Sequence, residues 1–350
     1  MTPILAMDLG KFKTVVCSYD PACPESARFR TVPTNVETLE KLLGTVQPGL
    51  VVFETCTIAG WVHEVCERLS VPCLVANPNG EAWRWKNVKR KTDRDDALKL
   101  ARLAAGDELA VVTMPCTVVR QKRALLKYRQ AVIGQRVAVQ NHLRHLVEAQ
   151  GRRLAPGYKA WTQIGLAVLS DWARPLTDCS EEELWRGQLH QALLWFRHLD
   201  EQEAALRIQL ERLAETDAAI RRLRTIPGVG RRIAEVVVNY LPDPKRFRNA
   251  AEVSAYAGFV PRQYQSGEKD RRGRISKRGP ALLRKMLVEG AWGLLRFNAW
   301  AARLFERLTK GQKTRRKVAI VAVARKLLVH CWALLRHGTD WCEPAVALGS

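Results

Sequence analysis

The first hundred residues alternate short apolar runs with helical patterns, and this order constrains the fold more than any other feature of the sequence. Three strand-like runs come first: PILAMDL, then KTVVCSY after a turn at Gly10, then ARFRTV. Helical patterns then alternate with two buried-type strands, GLVVFE and PCLVAN, and a further helix is expected from about Asp93. A meander of three strands followed by crossover helices predicts an α/β domain, a mixed sheet with helices on its faces.

The rest of the chain is predicted to be all-α. Residues 116–150 carry a continuous, basic helical pattern whose outer face we expect to contact nucleic acid. Between Glu181 and Arg224, an apolar residue recurs every seven positions, at Leu199, Leu206, Leu213 and Ile220. This spacing fits a coiled-coil arm, and it equally fits one long helix packed on its own domain. A mostly helical C-terminal domain follows, and two helices are expected to close the chain.

Three domains are therefore expected: the α/β domain over 1–110, a helical and coiled-coil linker region over 111–222, and the C-terminal domain over 223–350. A chain of 350 residues is long enough for three such bodies. Its longest apolar run, Lys317 to Leu335, is interrupted by charged residues. That run predicts a buried helix and not a membrane span.

The net charge is strongly positive. The chain has 57 Lys and Arg residues against 35 Asp and Glu residues, which gives a formal charge of +22 and a pI near 10.0. This imbalance favours a polyanionic partner, most commonly nucleic acid, and the Lys-rich amphipathic helix or lipidation signal of a membrane-surface protein is not seen. Nine scattered cysteines without a CxxC pair, and no pattern of a secretory leader, predict reduced thiols in the cytoplasm and no zinc site.

Three stretches suit contact with a nucleic-acid backbone. EAWRWKNVKRK interleaves tryptophans with cations, which favours base stacking and phosphate contact, although a solvated charge run with tryptophans in the core gives the same pattern. IPGVG precedes an apolar helix, as in a helix-hairpin-helix element that holds a phosphate, although many such glycines only make turns. The third stretch is the basic segment around QSGEKDRRGRISKRG. The candidate contacts are Trp83, Arg84, Trp85, Lys86, Lys89, Arg90, Lys91, Gly228, Gly230, Arg262, Arg271, Arg272, Arg274, Lys277 and Arg278.

Four carboxylates are placed where they can hold metal ions. Asp8 and Glu54 each end a predicted strand, and Asp93 and Asp96 share one face at the start of a predicted helix. If the strands are neighbours under that helix, the acids converge and require protons or cations, and oxygen ligands suit Mg²⁺ or Mn²⁺. Structural roles are the alternative: Asp8 capping its turn, and the helix acids, among which Asp95 serves equally well, facing the helix dipole.

These residues resemble a known family. Asp8, Glu54, the Asn-Pro pair at Asn77 and KTDRDDA from Lys91 are similar to the DEDD, RuvC-like (RNase H-like) domain of one group of bacterial insertion-sequence transposases. IPGVG, AYAGFVPRQYQSG and ISKRG are similar to that group's C-terminal serine transposase domain. The resemblance covers nearly the whole chain, with two unrelated motif sets in the same order. One departure is that Glu54 is followed by TCTIAGW in place of a shorter Ala-Thr-Gly turn.

The resemblance implies a DNA recombinase guided by a structured bridge RNA that pairs with target and donor DNA. It implies that Asp8, Glu54, Asp93 and Asp96 hold Mg²⁺ (or Mn²⁺). It also implies that Ser266 attacks the scissile phosphate and forms a covalent phosphoserine intermediate. If the metal activates this serine, the two domains share one active site, and the long arm between them favours a homo-oligomer, a dimer or tetramer.

Two other functions remain open from the residues alone. One is an RNase H-like nuclease or junction resolvase in which water is the nucleophile and the C-terminal half only grips DNA. The other is a nucleic-acid-binding protein with a degenerate sheet domain. The presence of all four acids argues against this second function. Two rival serines are expected to be structural: Ser254 packed within a helix, and Ser276 capping a helix that begins near Lys277.

Overall fold

The computed structural model describes residues 3–78, 80, 92–153, 160–266 and 269–343, except for the side chains of 263–266 and 269–272. The chain forms two compact units, Met1–Arg120 and Gln121–Ser350.

The first unit contains a five-stranded mixed sheet in the order β3-β2-β1-β4-β5. β1 pairs antiparallel with β2 and parallel with β4, which in turn pairs parallel with β5. The predicted order of three meandering strands and two crossovers is confirmed. Its elements are β1 (Ile4–Leu9), β2 (Lys13–Tyr19), β3 (Arg28–Pro33), α1 (Val36–Val46), β4 (Leu50–Glu54), α2 (Ala59–Arg68), β5 (Cys73–Ala76) and α3 (Asp93–Ala105).

Helices cover both faces of this sheet, which explains why β1 and β4 read as continuous apolar runs. On one face Leu5 and Phe53 pack with the buried residues of α1 and α2. On the other face Ala6 and Val52 pack with Ala97 and other buried residues of α3. Because successive strand residues point to opposite faces, these clusters fix which side chains of each strand face α3.

The second unit is mostly helical, as expected, and includes one two-stranded ribbon. Its first helix begins at Thr117, just before the boundary between the two units at Arg120. The elements are α4 (Thr117–Glu148), α5 (Gln163–Trp172), α6 (Leu184–Glu215), α7 (Ala218–Leu223), α8 (Arg231–Tyr240), α9 (Ala250–Tyr256), β6 (Pro261–Ser266), β7 (Lys269–Ile275), α10 (Ala281–Phe297), α11 (Ala299–Thr309) and α12 (Arg316–His337).

The heptad tract is not one continuous helix. It breaks where Asp217 accepts hydrogen bonds from the backbone N–H groups of Ala219 and Ile220, which caps α7 and places Ile220 on a separate helix. α6 packs within its own unit, because Arg129 and Arg136 of α4 pair with Glu203 and Asp200 of α6 in reverse order along the chain. α4 and α6 are therefore an antiparallel pair, and Arg129, one of the basic residues of α4, is buried against α6.

Three helices, not two, close the chain, because Asn298 ends α10 and its side chain caps α11 through the N–H of Ala301. α12 is the one helix in the described residues that is long and apolar enough to cross a membrane by composition. Half of that apolar window is buried in the protein, and Leu327, Leu328 and Cys331 are fully buried. α12 is thus the core helix of the second unit, as the sequence predicts.

Candidate active site

Asp8 and Glu54 stand side by side at one edge of the sheet. Met7 pairs with Phe53 in the parallel β1–β4 register, so the next residues, Asp8 and Glu54, are neighbours at the carboxyl ends of their strands. Asp8 lies two residues after Ala6 and Glu54 two residues after Val52, so both fall on the face that α3 covers. Both are half-buried, and both have interaction partners.

The first turn of α3 separates three acids by role. Thr92 caps the helix, and its N–H donates to the carboxylate of Asp95 while its hydroxyl accepts from the N–H of Asp95, a reciprocal capping box. Asp95 is therefore engaged in capping the start of the helix, whereas Asp96, half-buried beside fully buried Ala97, lies toward the sheet. Asp93 is exposed. Asp96 also has an interaction partner.

The neighbouring carboxylates of Asp8 and Glu54 supply the hard oxygen donors that Mg²⁺ and Mn²⁺ prefer, so the residues at this sheet edge fit such an ion in their chemistry. Within the described part of the chain, however, no three His, Cys, Asp or Glu side chains form a group that could hold a metal. The convergence of all four acids, with Asp93 and Asp96, stays a prediction.

Ser266 lies at the outer end of a β-ribbon. Pro261–Ser266 and Lys269–Ile275 pair antiparallel, with Ser266 opposite Lys269 at the end of the ribbon. Most of the basic segment after Ser266 is therefore a strand. The backbone of Arg271 and Arg272 lies on β7, opposite Tyr264 and Gln263.

The base of this ribbon is tightly built from the motifs on either side of it. Gly258 (φ +72°) and Gly279 (φ +95°) both adopt the left-handed conformation, and a Cβ on Gly258 would lie 2.0 Å from the carbonyl oxygen of Arg278. The guanidinium of Arg284 donates to the carbonyl oxygens of Ala257, Arg278 and Gly279 at 3.1, 3.3 and 2.9 Å. Only glycine permits the two turns to approach so closely, which gives AYAG and ISKRG a physical role.

The structure confirms the prediction for one of the two alternative serines and contradicts it for the other. Ser254 is buried in α9 and its hydroxyl donates to the carbonyl of Ala250, so its predicted packing is confirmed. The prediction that Ser276 caps a helix is wrong, because α10 begins later, after Pro280, and the Ser276 hydroxyl is buried without a hydrogen-bond partner among the described residues. The cause is the left-handed turn at Lys277 (φ +55°), which a helix cannot contain.

The predicted nucleic-acid contacts divide by location. Arg262, Arg274, Lys277 and Arg278 are exposed around the ribbon and its base. The tryptophan- and lysine-rich candidates lie outside the described residues: Trp83, Arg84, Trp85, Lys86, Lys89, Arg90 and Lys91.

Gly228 and Gly230 form the turn between α7 and α8, which matches the predicted helix-hairpin-helix-like element. Gly228 is left-handed (φ +91°), and Gly230 is the N-cap of α8 and supplies no side-chain cap. The turn opens onto a cleft of about 750 Å³ within the second unit. Sequence reasoning missed the other residues of this cleft, above all buried Glu235, because its walls come from α4, α6 and α10 as well as α8.

Comparisons with known proteins identify the family. The model described as "Transposase IS116/IS110/IS902 family" matches residues 220–306, and a model of the DEDD transposases of the IS110 group, described as "Transposase", matches residues 5–150. A transposase for insertion sequence element IS1111A from Coxiella burnetii is 30% identical over 309 residues, 86% of this chain and 81% of that protein. The chain belongs to the IS110/IS116 family of transposases.

Other relatives of this transposase agree. A probable family 20 transposase from Pseudomonas aeruginosa is 30% identical, over 83% of this chain and 85% of that protein. A pilin gene-inverting protein from Moraxella lacunata is 26% identical, over 71% of this chain and 67% of that protein. Transposases cleave and rejoin DNA, so this protein is an enzyme whose partner is DNA. Members of the DEDD transposase family generally depend on a divalent metal ion.

Proposed function

We propose that this transposase is an RNA-guided DNA recombinase that works through a covalent phosphoserine intermediate on Ser266. The observation that carries the proposal is the braced ribbon: Ser266 lies at its outer end, opposite Lys269, while the base is fixed by Gly258, Gly279 and Arg284. Because its base is fixed, such a ribbon loses little conformational freedom when it presents a nucleophile to a DNA backbone.

The proposed chemistry conserves the energy of the phosphodiester. The Ser266 Oγ forms a bond to phosphorus as the bond from phosphorus to a sugar oxygen breaks; the serine gives up its proton, and the sugar oxygen leaves as a hydroxyl. A hydroxyl of the new DNA partner then attacks the phosphoserine, which restores the serine and joins the strands. Exposed cations of the ribbon, Arg262 and Arg274 among them, stabilise the charge on the transferring phosphate.

Asp8, Glu54, Asp93 and Asp96 would hold Mg²⁺ (or Mn²⁺), which when bound favours ionisation of the attacking hydroxyl and neutralises charge on the phosphate. The backbone positions of Asp8 and Glu54 follow from the β1–β4 register. Their position at the ends of adjacent strands supports the proposal, because it brings two of the four carboxylates to one edge of the sheet.

The proposed partners are target and donor DNA and a bridge RNA encoded by the element. The basic residues of the chain suit both kinds of backbone, because both present the same phosphodiesters. We further propose a homo-oligomer, dimer or tetramer, that acts on the nucleoid in the bacterial cytoplasm.

The serine mechanism is tested by trapping the covalent intermediate. A suicide DNA substrate carrying a nick is incubated with wild-type protein, Ser266→Ala and, as matched control, Ser276→Ala, and the products are run on a denaturing gel. We expect a protein–DNA adduct with the wild type and Ser276→Ala and none with Ser266→Ala. An adduct that survives in Ser266→Ala would falsify the assignment, and hydrolysis products without any adduct would favour water as nucleophile.

RNA guidance has a separate test. RNA that copurifies with the protein from a host carrying the element is sequenced, and recombination is then measured with that RNA added back to RNA-free protein. A discrete structured RNA from the element's flanking DNA, required for recombination, is the expected result. Recombination at full rate after the RNA has been removed would contradict it.

A further inference from the structure

The cleft beside Gly230 contains an acid whose hydrogen-bonding capacity is unused. Glu235 lies on α8 and lines the cleft, yet its residue is only 5% exposed. Burial and the charges of nearby arginines and of Glu211 act on its carboxylate, with no hydrogen bond among these influences. A buried carboxylate in this situation is costly when ionised, so the site favours either the neutral acid or a ligand.

Arginines outnumber acids on the other walls of the cleft. Arg129 of α4, Arg207 of α6, and Arg231 and Arg232 of α8 line it, and Arg224 stands at the end of α7. Glu203 and Glu211 of α6 pair with four of these five arginines but not with Arg224, and Glu289 lies on the rim from α10. With no side chain capping α8 at Gly230, its first N–H groups add further positive potential.

We propose that this cleft binds a phosphodiester of the nucleic-acid strand, held by the arginines and the N-terminus of α8, with the neutral carboxyl of Glu235 donating a hydrogen bond to a phosphate oxygen. The proposal deepens the recombinase function and rests on it. It gives a role in phosphate binding to Glu235 and to the arginines of α4 and α6, in addition to the glycine turn at Gly228 and Gly230.

Protonation follows from the electrostatics of the bound state. Burial raises the pKa of Glu235 to about 7, and the charge of Glu211 acts in the same direction, although the charges of Arg129, Arg231 and Arg232 oppose the rise. A phosphate in the same cleft adds a negative charge next to this carboxyl and favours its neutral form further. Binding therefore takes up a proton at neutral pH, whereas the arginines that face Glu235 keep their charge throughout.

The sign of the pH dependence is fixed by this linkage. Below pH 7 Glu235 is already protonated in the free protein, and binding costs no extra proton. Above pH 7 Glu235 is ionised in the free protein and must take up a proton before the phosphate binds, so the affinity falls as pH rises. Between pH 6 and pH 8 the affinity is expected to fall by up to about tenfold.

The test measures the binding of labelled single strands by fluorescence anisotropy at pH 6 and pH 8, with DNA and RNA of the same sequence as separate arms. Wild-type protein is compared with Glu235→Gln, whose amide donates a hydrogen bond at every pH. Glu215→Gln, an equal charge change at an exposed position outside the cleft, is the control. For at least one of the two strands, we expect the affinity of the wild type and of Glu215→Gln to fall about tenfold between pH 6 and pH 8. The affinity of Glu235→Gln should not change with pH.

A steric variant tests the site independently of Glu235. Gly293 lines the cleft from the interior of α10, and a Cβ there would meet no atom within 4 Å. Gly293→Leu should fill the cleft and abolish the pH-dependent binding, whereas Gly134→Leu, on α4 with equally open surroundings, should not. Binding that is equally pH-dependent in Glu235→Gln, or unchanged in Gly293→Leu, overturns the proposal. Adduct formation on Ser266 is measured separately, so either proposal can fail without the other.

Discussion

The two units of this transposase hold their candidate residues in different ways. In the first unit, Asp8 and Glu54 lie at the ends of adjacent strands of a sheet covered by helices on both faces, so many buried contacts fix their positions. In the second unit, Ser266 lies on a two-stranded ribbon whose base depends on two glycines and one arginine. The sheet site should therefore tolerate most single changes in its surroundings, and the ribbon site should not.

The largest expected effect tests the sheet site directly. Asp8→Asn removes one carboxylate of the strand-end pair without changing side-chain size, and DNA cleavage should fall by about 10³-fold, since a bound metal contributes several kcal/mol to such reactions. Thermal unfolding should be unchanged or slightly improved, because two neighbouring carboxylates repel each other. The matched control is Asp95→Asn, which alters the capping box of α3 and should cleave DNA normally. Equal losses in both variants would contradict the assignment.

The next effect concerns stability, within the antiparallel pair of α4 and α6. Glu203→Gln leaves buried Arg129 without its counterion, and the free energy of unfolding should fall by about 3–5 kcal/mol, whereas Arg129→Met with Glu203→Leu should cost far less. Glu183→Gln, at the more exposed pair with Arg174, should cost at most about 1 kcal/mol. Denaturant unfolding at pH 7 measures all four proteins.

The same pair predicts a pH dependence. Burial opposes ionisation of Glu203, but the hydrogen bond and charge of Arg129 outweigh it and hold the pKa of Glu203 below its ordinary value. A carboxylate with a lowered pKa stabilises the fold above its ordinary pKa, and that contribution is lost as pH falls through the folded value. The difference between wild type and Glu203→Gln should therefore shrink in acid; a constant difference would contradict the pairing.

The comparison also explains what the sequence can and cannot predict. The strands around Asp8 and Glu54 were predicted because a sheet buried on both faces demands continuous apolar runs, and those runs end at the acids. The ribbon was missed because QYQSGEKDRRGRI is polar on both faces and has no alternation to reveal a strand. Glu235 was missed because three other helices bury it, and no local pattern reports contacts between distant segments.

A fourth prediction breaks the ribbon at its base. Gly258→Ala places an alanine in the left-handed conformation, with its Cβ against the carbonyl oxygen of Arg278. The resulting strain of about 1–3 kcal/mol should loosen the turns that Arg284 holds. Recombination and adduct formation should fall while the first unit unfolds as before. Hydrogen exchange should speed up in β6 and β7. Gly134→Ala, in an open helical position, should instead stabilise the protein slightly; full activity in Gly258→Ala would show that the ribbon needs no braced base.

The smallest expected effect returns to the first unit and asks how well the sheet site withstands a local change. Thr92→Ala removes the cap of α3 and its reciprocal bonds with Asp95, which should cost about 1 kcal/mol of unfolding free energy. Because Ala97, Leu100 and Ala101 still pack on the sheet, α3 should stay in place and DNA cleavage should fall less than about twofold. Thr92→Ser, which keeps the hydroxyl cap, serves as control for stability. A large loss of cleavage in Thr92→Ala alone would mean that the start of α3, and not the register of the sheet, sets the geometry of the acids.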